Sequence, residues 1–137
     1  MRFKEFTDID SLRHAKVDEK PVKNFTGNYK SLSISEPPTN TSKATQEELK
    51  KLKELMSNRT SDIEASVKNH DKDVAYSVKQ YLKDKGLEYS DSDINKIVGV
   101  GSAIVRYYKN KFQRPRPYNV AEALEMDFDN MPLDSDT

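Results

Sequence analysis

The stretch Ser90-Asp-Ser-Asp-Ile-Asn-Lys-Ile-Val-Gly-Val-Gly-Ser-Ala-Ile-Val-Arg-Tyr-Tyr-Lys-Asn-Lys-Phe112 decides the fold class. Ile94, Ile97, Val98, Gly101, Ile104, Val105, Tyr108 and Phe112 recur at three- and four-residue intervals, which places them on one broad face of a helix. Ser90 or Asp91 can cap that helix, and Asp93 sits in its first turn, where the helix dipole favours negative charge. Gly99, Gly101, Ser102 and Ala103 form a small-residue patch on it. Glycine in a helix costs about 1 kcal/mol relative to alanine. Two glycines within three positions imply close packing against another helix or close approach of a ligand, and a packing notch is the simpler of the two.

Working back towards the N-terminus, the same period recurs in weaker form. Val74, Val78, Tyr81 and Leu82 predict a helix over 72–85, with Gly86 where a C-terminal glycine cap belongs. Asn69-His70-Asp71 reads as a break or a new cap. Ser61 and Glu64 have capping-box spacing ahead of Ile63 and Val67. Thr45 and Glu48 have it ahead of Leu49, Leu52, Leu55 and Met56, predicting a helix over 46–57 with Glu47, Glu48, Lys50, Lys51, Lys53 and Glu54 on its wet face. Nothing reads as a strand or as a repeat. The fold class is all-α.

Residues 1–43 read as an extended N-terminal arm. Phe3, Phe6, Ile9 and Leu12 have the spacing of a short docking helix or belong to a frayed terminus. Residues 14–43 are rich in Ser, Thr, Asn, Lys and Pro, with Pro21, Gly27, Pro37 and Pro38 as breakers and no sustained apolar period. Such a segment orders only against a surface. Other protein chains are the expected partners for 14–43, and a strap formed by Phe25, Tyr29, Leu32 and Ile34 folding back on the helices is the alternative. The helical domain spans 44–117. After it, 118–137 reads as an acidic loop or tail.

Composition narrows the functions. The 137 residues are 34% charged and 34% hydrophobic, with no net formal charge, so nothing draws the whole chain to nucleic acid or anionic lipid. The charge is segregated, however. Arg106, Lys109, Lys111, Arg114 and Arg116 have no acid among them, and 117–137 holds six acids and no base. Without cysteine there is neither a disulfide nor a thiolate metal site, and His14 and His70 show no ligand spacing, so no metal or cofactor is expected. No apolar run has the length of a membrane span and the polar start is no signal peptide, which predicts a soluble, cytoplasmic protein.

The long helix runs into Lys109-Asn-Lys-Phe-Gln-Arg-Pro-Arg116-Pro117. Pro115 and Pro117 bracket Arg116 and force its backbone out of helical geometry, while Lys109 stays on the helix. A flexible ammonium and a planar guanidinium from two different elements suit a tetrahedral oxyanion. Lys111 and Arg114 are auxiliary candidates. Two other roles fit the same residues. Cations at a helix C-terminus are favoured by the dipole alone, and basic residues interleaved with Tyr107, Tyr108, Phe112 and Tyr118 suit a single nucleic-acid strand. The acidic stretch that follows competes for those cations and disfavours nucleic acid.

Lysine, six residues, then Arg-Pro resembles the first signature of the type 2 phosphatidic acid phosphatases, which are grouped with class A bacterial acid phosphatases and vanadium haloperoxidases. The stretch from about Asp71 to Thr137 is similar to the first half of small soluble members, including ones encoded by tailed bacteriophages. The resemblance implies phosphomonoester hydrolysis, with Lys109 and Arg116 clamping the phosphate. It also implies a second motif, Pro-Ser-Gly-His, and a third with the nucleophilic histidine. Neither occurs here, and His14 and His70 match neither position, so no catalytic set is complete. Two expectations follow: these residues are part of a longer enzyme, or a half-domain kept for structure. The alternative function is a non-catalytic structural component of a phage virion or another large assembly.

Overall fold

A computed structural model describes residues 8–23 and 25–128. It is all-α, as the periodicity predicts, with five α-helices and two 3-10 turns among the described residues. The helices are α1 (Lys43–Ser57), α2 (Ser61–Lys72), α3 (Tyr76–Asp84), α4 (Asp91–Phe112) and α5 (Pro117–Ala123). The 3-10 turns are Ile9–Ser11 and Tyr29–Ser31. None of the described helices is long and apolar enough to cross a membrane.

Helix ends follow side-chain chemistry. Ser90 Oγ accepts from the Asp93 amide and opens α4, one of the two caps expected there. Gly86, at φ 65°, closes α3: its amide donates to the Lys83 carbonyl and the Leu87 amide to the Leu82 carbonyl. That is a Schellman ending, which needs the left-handed conformation glycine adopts without strain. Two N-caps lie earlier than the capping-box spacing predicts. Ser42, not Thr45, caps α1, because the Ser42 hydroxyl accepts from the Thr45 amide. The Thr45 hydroxyl is buried and turned back to the Thr39 carbonyl instead. Thr60 caps α2 through the Ile63 amide. The helix continues through His70 to Lys72, so Asn69-His70-Asp71 is its last turn and not a break.

The described residues divide into two compact units. The first gathers 8–16, 34–59 and 110–128. Its core is Leu49 from α1 against Val120 and Ala121 from α5, with Leu12, Leu124, Met126 and Phe128 packed around them. The apolar spacing at the N-terminus thus has a use, although Ile9–Ser11 is one 3-10 turn and Phe3 and Phe6 lie outside the described residues. Buried Asn40 ties the turn down by donating to the carbonyls of Ile9 (2.8 Å) and Leu12 (3.1 Å). Asp10 accepts from the hydroxyl (2.7 Å) and amide (2.8 Å) of Thr41, and these bonds hold its carboxyl below the ordinary range. The segment read as an acidic loop or tail begins with α5. Pro117 starts that helix, and it ends at Glu125 (φ 57°) with a second Schellman pair, Glu125 to Glu122 and Met126 to Ala121. The rest of the tail, 129–137, lies outside the described residues.

The second unit holds 17–33 and 60–109: α2, α3, α4 as far as Lys109, and an extended strap. His70 joins α2 to α3 through a hydrogen bond to the Ser77 hydroxyl and an edge-to-face contact with Tyr76. Lys79 bridges to Asp73 at 3.0 Å; that bond lowers the Asp73 carboxyl and raises the Lys79 ammonium. The strap crosses α4. Arg106 donates to the Asp18 carbonyl at 3.0 Å, the Tyr108 hydroxyl donates to the Tyr29 carbonyl, and the Tyr29 ring meets Tyr107 edge-on. Of the four residues of the strap alternative, Tyr29 thus meets its own chain, whereas Phe25, Leu32 and Ile34 stay exposed. Burial in this unit is thin. Ala75, Ala103 and Tyr108 are buried, whereas Val74, Tyr81, Ile97 and Val105 are all more than half exposed. Gly99 and Gly101 are not a packing notch among the described residues, since a Cβ built on either meets nothing within 4 Å.

Candidate oxyanion-binding segment

The segment begins on α4. Lys109 is exposed there, the last residue of the second unit, and its side chain has no hydrogen-bond or ion-pair partner among the described residues. Lys111 is also exposed, with its ammonium 5.4 Å from the Phe112 ring centroid.

α4 then stops at an uncommon residue. Gln113 has φ 46°, the left-handed position a glycine normally fills after a helix. Two bonds hold it there: the His14 amide donates to the Gln113 carbonyl at 2.8 Å, and Gln113 Nε2 donates to the His14 carbonyl at 3.1 Å. Past this turn the chain is extended. Arg114 pairs with Glu48 of α1, and Pro115 is buried.

Arg116 has φ −61° and ψ 144°, the extended backbone its two prolines require, and is the N-cap of α5. Its carbonyl accepts from the amides of Asn119 (3.0 Å) and Val120 (3.2 Å). Its half-buried side chain has no hydrogen-bond or ion-pair partner among the described residues. Packing of Val120 and Ala121 on Leu49 anchors the helix that Arg116 caps.

The four predicted cations thus separate by their surroundings. Arg114 is engaged in an ion pair and Lys111 lies over a ring, while Lys109 and Arg116 keep charged ends that no described group claims. Tyr108 is buried and bonded to Tyr29, so it is no stacking platform for a base. No group of three or more His, Asp or Glu side chains among the described residues is placed to hold a metal ion. Sequence reasoning missed His14 and Gln113. Their partnership spans 99 positions, and the only local signal is a helix that must end just before an Arg-Pro-Arg-Pro run without a glycine to end it.

The chain matches no protein-family model, no curated protein and no solved structure.

Proposed function

We propose that this protein binds phosphate-type oxyanions at Arg116, with Lys109 the second clamp that the resemblance to the phosphatidic acid phosphatases implies. The observation that carries the reading is that the Arg116 side chain has no hydrogen-bond or ion-pair partner among the described residues, while nearby Arg114 is paired with Glu48. An arginine that already has a carboxylate gains little from a second anion. An unpaired guanidinium on a fixed backbone offers its fork of donors intact. The ligand class is a phosphomonoester or inorganic phosphate, and the reaction the resemblance implies is phosphomonoester hydrolysis. No residue among these 137 fills the nucleophile or general-acid position of that reaction. The 137-residue chain is therefore expected to bind without turnover.

Equilibrium dialysis against radiolabelled phosphate tests this. Lys109→Ala and Arg116→Ala should each weaken binding at least tenfold, with Lys111→Ala and Arg114→Ala close to wild type. Equal losses in all four variants would reduce the segment to a diffuse basic patch. Hydrolysis of p-nitrophenyl phosphate that vanished in the Lys109→Ala, Arg116→Ala double variant would show that catalytic groups had been overlooked.

A second reading rests on a different observation. Val74, Val78, Tyr81, Ile97 and Val105 leave apolar surface uncovered in the second unit, and exposed apolar area of that kind suits protein contacts. It supports a non-catalytic component of a larger assembly, such as a phage virion. Sedimentation velocity of the purified chain distinguishes self-association from a monomer that needs other partners.

A further inference from the structure

We infer that Gln113 is a positioning residue for Arg116, and that the N-terminal segment around His14 is the brace against which it works; this rests on the oxyanion-binding reading above. Three observations within the first unit lead here. The turn between α4 and Arg116 depends on a glutamine at φ 46°, a conformation that side chains other than glycine rarely adopt. Two bonds from opposite directions fix that turn, one from the His14 amide and one to the His14 carbonyl. His14 is itself anchored, because two residues earlier Leu12 packs against the Leu49–Val120–Ala121 core and Asn40 holds the Leu12 carbonyl.

Position therefore passes along a short chain of contacts. The core holds Leu12, Leu12 fixes where His14 lies, and His14 clamps Gln113. Three residues later Arg116 leaves the turn already committed to the N-cap of α5. The prolines restrict Arg116 locally, but they do not hold the turn that precedes it. That turn is held at Gln113. Without the His14 bonds a glutamine has no reason to keep a left-handed backbone, and the guanidinium would sample more directions before meeting an anion. Affinity falls in proportion to the fraction of time the competent arrangement is populated.

Two variants separate the parts of this device. Gln113→Glu keeps the shape and the backbone preference but replaces the donor with a carboxylate facing the His14 carbonyl. Gln113→Gly deletes the side-chain bond and makes the left-handed turn easy. In the full chain, 15N relaxation at Arg116 Nε in the absence of ligand reports its order directly, and phosphate titration reports the consequence. Gln113→Glu should lower the Arg116 Nε order parameter and weaken phosphate binding about threefold to tenfold, the factor carried by one neutral hydrogen bond. Gln113→Gly should recover part of both. Circular dichroism should show helix content unchanged in each variant. An Arg116 Nε order parameter unchanged in Gln113→Glu would overturn the inference. If wild-type protein bound no phosphate while that order parameter still dropped, the oxyanion reading would fail and the positioning role would stand.

Discussion

Leu49→Ala strikes the first unit where its packing converges. Leu49 is 3% exposed and meets Val120 and Ala121 of α5, so truncation removes the side chain that holds α5 to α1. Buried Leu-to-Ala changes cost about 2–5 kcal/mol, depending on how far the surroundings collapse into the space. Here Leu12, Leu124, Met126 and Phe128 are only partly buried and free to move inward, which favours the lower end, about 2–3 kcal/mol. Typical domains have about 5–15 kcal/mol in total, so this is a large share. Urea denaturation measures the loss, and hydrogen exchange locates it. Val120 donates its amide to the Arg116 carbonyl, so faster exchange at Val120 reports release of the N-cap itself. Leu49→Met, which keeps volume, should cost less than about 1.5 kcal/mol. A loss below about 1 kcal/mol in Leu49→Ala, with Val120 exchange unchanged, would refute the claim that this core holds Arg116 in place.

Asn40→Ala should destabilise by about 1–3 kcal/mol in urea titrations, because it strips the donors from two partly buried carbonyls. Gly86→Ala should cost about 1 kcal/mol from backbone strain alone, since a Cβ there meets nothing within 4 Å. The Asp10 carboxyl is lowered in the folded protein, first by the Thr41 hydroxyl and then by the Thr41 amide. Its contribution is therefore complete above the ordinary value of 3.8 and is lost as pH falls from there through the lowered folded value. Unfolding measured against pH should lose this acid dependence in Asp10→Asn. Arg114→Ala should reduce stability by no more than about 1 kcal/mol, as expected for a half-exposed ion pair, and should leave phosphate affinity alone.

The elements legible in the sequence were those whose signals are local. The apolar period of α4, the serine before it, the glycine after α3 and the prolines around Arg116 each act within a few residues of themselves, and each forms or ends its element as its chemistry predicts, although Ile97 and Val105 of the apolar face stay more than half exposed. The N-caps of α1 and α2 were misplaced for a physical reason. A capping box is read from a Glu three residues on, but what Ser42 and Thr60 need is only an amide at that position, which Thr45 and Ile63 supply. Helix α5 was missed because seven residues are too few to show a period, although Pro117 at its start is a recognised signal. The glycines of α4 show the converse error, since a composition that permits close packing does not bring a neighbour to the site. At the candidate site, residue types nominated four cations, but partnership separated them. Glu48 and Arg114 lie 66 positions apart, and no local pattern announces that pairing. The same holds for His14 and Gln113.

Phosphate titration of the uniformly 15N-labelled chain, following the side-chain nitrogens of Lys109, Lys111, Arg114 and Arg116 together, tests the central claim most directly. Saturable shifts at Lys109 and Arg116 with one common affinity, and little movement at Lys111 and Arg114, are the predicted result. Shifts that grow linearly with phosphate at all four cations, or none at Arg116, would contradict it.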